Sequence, residues 1–133
     1  MKNLKRLVAM TVVLLGMLVG AGQVAAQSDV MGGIQSAIKS GSSRDLARYF
    51  NTKVNVIIDG DNGNYSQSQA EMVVRNFFSK NPPADFSFDH QGGSEDGQRY
   101  AIGKYAHKGG RYNVVVKVKK YGDAYKIDTI EFK

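Results

Sequence analysis

Residues 66–83 read SQSQAEMVVRNFFSKNPP. Ala70, Val73, Val74, Phe77 and Phe78 recur at i, i+3, i+4, i+7 and i+8, which puts five apolar side chains on one helical face. Ser66 stands at the N-cap and Gln69 three residues on, the spacing of a capping box. Asn81-Pro82-Pro83 ends the element, because proline cannot extend a helix and biases the residue before it away from helical angles. A helix bounded in this way needs an apolar surface to pack against, and the rest of the chain supplies one.

After Pro83 the chain reads as strands and turns. Phe86, Phe88 and His90 alternate with Ser87, Asp89 and Gln91. Residues 92–97 read as a loop. Tyr100, Ile102 and Ala106 share one parity of a strand over 98–107 and are expected to face inward. Lys108-Gly109-Gly110-Arg111 turns the chain, and Tyr112, Val114, Val116 and Val118 form a regular inward row. Tyr121-Gly122-Asp123 turns it again. In the last strand Tyr125 and Ile127 are apolar at odd positions, then Ile130 and Phe132 at even ones. A slip of one residue sends side chains to the opposite face, so a bulge is expected near Asp128-Thr129.

Before Ser66, the spacing of Val30, Ile34, Ala37 and Ile38 predicts a helix over 29–40. Gly32-Gly33 weakens its start, and Lys39 with Gly41 marks its end. Ser43 is expected to cap a second short helix, with Asp45 in its first turn and Leu46, Tyr49 and Phe50 as its buried stripe. Val54 to Ile58 reads as a strand, and Asp59-Gly60-Asp61-Asn62-Gly63-Asn64 as turn chemistry. The predicted order is α-α-β-α-β-β-β-β. The class is α+β, with helices packed on a curved antiparallel sheet that closes over the helix bearing Phe77.

Residues 1–26 read as an address. Lys2, Lys5 and Arg6 open the chain, Leu7 to Gly22 carries no charge, and Val24-Ala25-Ala26 offers small residues for cleavage after Ala26. That pattern describes a signal peptide; a single transmembrane anchor is the rival reading, ranked second because the apolar run is short and diluted by glycine. The expected product is a single domain over 27–133, periplasmic or secreted. Removal of those three of the 18 basic residues leaves 15 against 12 acidic, a net of +3, a weak footprint for nucleic acid. With 42% hydrophobic and 23% charged residues the chain has a globular composition. It contains no cysteine, which excludes disulfides, thiolate metal sites and a cysteine nucleophile.

Several segments together carry a resemblance: Ile38-Lys39-Ser40-Gly41, Leu46-Ala47-Arg48-Tyr49-Phe50, Tyr65-Ser66-Gln67-Ser68-Gln69-Ala70, Phe77-Phe78-Ser79-Lys80-Asn81-Pro82, Phe86 with His90 and Gly92, and Tyr100-Ala101-Ile102-Gly103. Over about residues 30–133 the chain resembles a family of short exported bacterial proteins known only as a domain of unknown function, with a nuclear transport factor 2-like (cystatin-like superfamily) fold. The resemblance implies that cone-shaped fold and an exported location, and no activity. Similar folds serve isomerases, dehydratases, cyclases, transport factors and ligand binders, so fold alone licenses no chemistry. The ketosteroid isomerase branch places a tyrosine and two aspartates in the cone, and no aspartate here falls clearly on an inward parity.

His90 is the sharpest polar candidate. Strand parity sets it in the Phe86-Phe88 row, where it could act as a general base; the plainer reading is a partly buried histidine bonded to backbone. Phe77, Phe86, Phe88, His90, Tyr100, Tyr112 and Tyr125 could line a pocket with polar tips, or could be ordinary packing. Asp59 to Asn64 fails the calcium-loop pattern at positions 5, 6 and 12, where Gly63, Asn64 and Ala70 stand. His90 and His107 lack a third ligand for zinc, and neither a phosphate loop nor a nucleophile elbow is present. No cofactor is therefore expected. Lys117, Lys119 and Lys126 are expected on an outer face, with Lys104, Lys108 and Arg111 near a turn. Such a face could meet an anionic glycan, a lipid headgroup or an acidic partner, or could be plain solvated surface.

The reading that follows is a non-catalytic exported module that binds a small apolar ligand in the cone or a protein partner on the sheet. A cofactor-free isomerase or lyase with His90 as base is the alternative, and a homodimer through the sheet is a third possibility.

Overall fold

The computed structural model describes residues 30–93 and 96–133. The expected signal segment, 1–26, lies outside them. Helix α1, Val30–Ser40, buries Met31, Ile34, Ala37 and Ile38. Gly41 ends it at φ 68°: its N–H donates to the Ile38 carbonyl, and the Ser42 N–H donates to that of Ala37. This paired closure is a Schellman motif, whose left-handed residue favours glycine. Helix α2, Ser43–Ala47, is capped by Ser42, one residue earlier than expected; the Ser42 hydroxyl accepts from the Asp45 N–H at 3.1 Å. Ser43 is buried within the helix. Leu46 is buried as expected, but Phe50 opens a strand and does not extend the helix.

That strand, β1, runs Phe50–Ile58, and β2 runs Asp61–Ser66. Here the expected turn contracts to two residues, Asp59 at φ 51° and Gly60 at φ 87°, both left-handed as tight hairpins require. Asp61 to Asn64 belongs to β2, which pairs antiparallel with β1. Its polar composition suits a sheet edge and hides it from a search for apolar alternation. Helix α3, Gln67–Lys80, has the complete Ser66–Gln69 capping box and buries Ala70, Val74, Phe77 and Phe78, with Val73 half-buried.

Strands β3 (Pro83–Gly93), β4 (Gln98–His107), β5 (Gly110–Tyr121) and β6 (Ala124–Phe132) form an antiparallel meander. The sheet order is β2-β1-β6-β5-β4-β3, with β1 parallel to β6. The result is an α+β fold with one curved, mostly antiparallel sheet of six strands, one more than expected. Among the described residues no helix is long and apolar enough to cross a membrane.

Of the register shifts in the sheet, two bear on the site. In β6, Lys117 pairs with Thr129 and Val118 with Ile127, so Asp128 is the extra residue at the expected place. In β3, Phe88 pairs with Gly103 but His90 with Ile102, so Asp89 is extra and every later side chain changes face. The inward row of β4 is Ala101, Gly103 and Tyr105, not Tyr100, Ile102 and Ala106. The hairpin fixes this: His107 pairs with Gly110, which sets Tyr105 opposite Tyr112 and Gly103 opposite Val114. Since Val114, Val116 and Val118 face inward, their odd-numbered partners must as well.

Candidate functional site

The interior between α3 and the sheet is occupied by aromatic rings. Phe77 lies 4.2 Å from Phe132, 5.6 Å from Tyr105 and 5.1 Å from Tyr112, centroid to centroid. Phe86 meets Phe88 edge-on at 5.0 Å and Tyr105 at 6.3 Å. Tyr105 is fully buried and donates its hydroxyl to the Asn81 carbonyl. Burial, aided by the neighbouring Tyr112, raises its phenol well above the ordinary range. Among the described residues no carboxylate or histidine is buried, and no buried side-chain nitrogen or oxygen lacks a partner. This interior is packed for stability and holds no acid–base pair.

The seven residues expected to line one pocket divide among several places. Phe77 and Phe86 are core, and Phe88 is half-buried beside Phe86. Tyr112 is half-buried at the end of the sheet near the β1–β2 turn, donating to Asp59 Oδ2 at 3.2 Å. Burial and the Asp59 carboxylate both raise its phenol. Tyr125 is half-buried at the other end, with the Arg99 guanidinium 5.5 Å from its ring centre. His90 and Tyr100 are on the outer face, contrary to the inward placement expected for both. The Asp89 bulge turned His90 over and the hairpin register turned Tyr100. They share a hydrogen bond, His90 Nε2 to Tyr100 hydroxyl, at 3.2 Å.

An open cleft of about 390 Å³ lies at this end of the sheet, lined by Tyr100, Lys117, Asp128 and Thr129, with Gly93, Gln98, Arg99 and Val118 beside them. Tyr100, Lys117 and Thr129 are register partners across β4, β5 and β6. The buried row Ala101, Val116 and Ile130 lies next to them, so all three side chains stand on the opposite, outward face. Asp128 Oδ1 accepts from Tyr121 at 2.7 Å and from Asn51 at 3.3 Å. That bond raises the Tyr121 phenol, with smaller contributions from burial and the carboxylate charge. Lys119 stands directly opposite Lys126. The ion pairs among the described residues, Lys39–Asp85, Arg75–Glu71 and Lys133–Glu131, involve none of Arg99, Lys117, Lys119, Lys120 and Lys126. A wider, shallower hollow of about 530 Å³ on α3 is lined by Met72, Val73, Arg75, Asn76 and Ser79 and has no aromatic wall.

Residues 31–133 match the profile of a domain of unknown function, DUF4783. The chain belongs to that family. A DUF4783 protein from Bacteroides ovatus is 33% identical, with a TM-score of 0.72 over 75% of this chain and 90% of its own. Another, from Bacteroides uniformis, is 29% identical, with a TM-score of 0.75 over 78% and 95%. A nuclear transport factor 2-like protein of unknown function from Shewanella baltica shares the fold at 13% identity, with a TM-score of 0.61 over 85% and 94%. No curated protein matches the chain.

In this DUF4783 domain, sequence reasoning found Lys117 as an outer-face cation and Asp128 as a bulge. It missed Gln98, Arg99 and Thr129 as their neighbours, and Tyr105 as the central core tyrosine. The signal was available: the inward row of β5, carried across a two-residue hairpin, assigns Tyr105 to the core and Tyr100 to the cleft.

Proposed function

We propose that this protein is an exported, non-catalytic binding module that holds its ligand on the outer face of the sheet, in the cleft beside Tyr100. The observation that carries this is the contrast between an interior filled by Phe77, Tyr105 and Phe132 and an open 390 Å³ cleft with both charged and aromatic walls. Concave sites that combine apolar surface with a few converging polar groups are where small ligands bind. A small apolar ligand inside the cone would have to displace those rings. A base at His90 loses its setting, because that ring stands in solvent against a tyrosine hydroxyl and not in a closed chamber. The basic start and uncharged run of residues 1–26 support export, with cleavage after Ala26 expected from N-terminal sequencing of the mature protein.

The test is amide chemical-shift mapping of the labelled protein against a small-molecule fragment library. Hits that cluster on Tyr100, Lys117 and Thr129 support the reading. Hits that cluster on Phe77 and Tyr105 overturn it.

A further inference from the structure

We infer that the cleft takes an acidic glycan, with a sugar ring lying on Tyr100 and its carboxylate on Lys117; this rests on the cleft being the binding surface. The platform is built by three residues. Tyr100 lies over Gly92, where an added Cβ would come 2.5 Å from the ring. Gly92 has no left-handed φ, so what a side chain there would meet is the Tyr100 ring. His90 holds the hydroxyl end of the ring from the neighbouring strand. With 36% of its surface still exposed, the ring offers its free side to solvent.

Lys117 is the direct cross-strand partner of Tyr100. Such partners have Cβ atoms about 5 Å apart, a separation that a six-membered sugar ring and its carboxylate can span. Next to them, Lys119 faces Lys126; the Lys126 ammonium donates to the Arg48 carbonyl at 3.3 Å and that of Lys119 lies 6.0 Å from the centre of the Tyr121 ring, so neither is matched by a carboxylate among the described residues. A chain of acidic sugars would bring a further carboxylate to that pair. Asp128 decides between anions. Its Oδ1 is taken by Tyr121 and Asn51, while Oδ2 carries no hydrogen bond from the described residues and can accept from a sugar hydroxyl. The same carboxylate repels a densely charged phosphate surface more than it repels a glycan with a single carboxylate per repeat, which disfavours a lipid headgroup or a nucleic acid backbone.

The test is titration calorimetry of the purified protein with oligogalacturonate and with hyaluronan oligosaccharides. Neutral dextran oligosaccharides, oligothymidylate and phosphatidylglycerol vesicles serve as comparisons. At least one acidic glycan should bind, more weakly as salt rises. Tyr100→Ala and Lys117→Ala should each cost about tenfold or more in affinity, as expected for losing a stacking surface or a charge-assisted bond. Tyr65 covers Gly63 near the opposite edge in a similar way, so Tyr65→Ala is the control that should leave affinity unchanged. Circular dichroism checks that each variant is folded. Equal binding of dextran, binding of oligothymidylate or vesicles without the glycans, or unchanged affinity in both cleft variants overturns the inference. Failure of both acidic glycans also overturns it, while fragments that still map to Tyr100 and Lys117 leave the binding-module reading standing.

Discussion

Gly103 in β4 faces the backbone carbonyl of Ser87 in β3 with no room for a methyl group between them. The Phe86 ring closes the same space from the core side at 3.0 Å. A carbonyl inside a ladder cannot move aside as a side-chain tip can. Gly103→Ala must therefore spread the β3–β4 pairing or displace Phe86. Overpacking of this kind costs about 1–3 kcal/mol, and the position belongs at the upper end. Urea denaturation of the variant should show a midpoint shift of that size; a loss below about 0.5 kcal/mol, the range of ordinary surface changes, would contradict the geometry.

Tyr105 ties α3 to the sheet through its hydroxyl on the Asn81 carbonyl, and its ring separates Phe77 from Phe86. Tyr105→Phe keeps the ring and removes the bond, for an expected loss of about 1 kcal/mol. The raised phenol also sets a pH dependence. Folded Tyr105 holds its proton to higher pH than the unfolded tyrosine does. The associated stability is complete below about pH 10, the ordinary tyrosine value, and drains away as pH rises above it. Denaturation midpoints from pH 8 to 11 should fall at the alkaline end, and Tyr105→Phe should flatten that fall. An equally steep fall in the variant would assign it to other groups.

Helix α3 was legible because its information is local: the cap at Ser66, the stripe through Phe77 and the stop at Pro82 all lie within one segment. The four-strand meander and the Asp128 bulge were legible for a similar reason, since the phase slip between Ile127 and Ile130 is visible in the strand itself. What failed was relational. Whether Tyr100 or Tyr105 enters the core is decided by the partner strand through the hairpin register. The Asp89 bulge leaves no phase slip, because only polar residues and glycine follow Phe88 in β3, so His90 seemed to continue the inward row. Strand β2 was hidden because an edge strand half in solvent needs no apolar alternation. The cleft inherits the two register errors, since Tyr100 lines it and His90 holds the Tyr100 hydroxyl.

Asp128 is the extra residue of the β6 bulge and its carboxylate joins three strands, with Asn51 of β1 and Tyr121 of β5 both donating to Oδ1. Asp128→Ala removes two exposed or half-exposed hydrogen bonds, so the expected loss is modest, about 1 kcal/mol. The sharper readout is Tyr121. Its raised phenol depends first on the bond to Asp128, so Asp128→Ala should bring its titration back toward that of an ordinary tyrosine. Ring-carbon NMR shifts followed from pH 8 to 11 resolve this directly. An unchanged Tyr121 titration would show that the bond does not persist in solution.

Gly33 sits inside α1, where alanine would normally be worth about 1 kcal/mol more than glycine. The Tyr49 hydroxyl, however, occupies the place where a Cβ would go. Two effects oppose each other: the helix gains propensity, and the phenol must leave its seat between α1 and the end of α2. Overpacking costs of about 1–3 kcal/mol exceed the gain, so Gly33→Ala should destabilise. The hydroxyl is the nearest atom, so Tyr49→Phe should relieve much of the clash, and the double variant should be more stable than the two single losses sum to. A double-mutant cycle measures that coupling, expected in the range of about 0.5–3 kcal/mol for touching residues. If Gly33→Ala instead raises the unfolding midpoint, the hydroxyl yields freely and the glycine has no packing role there.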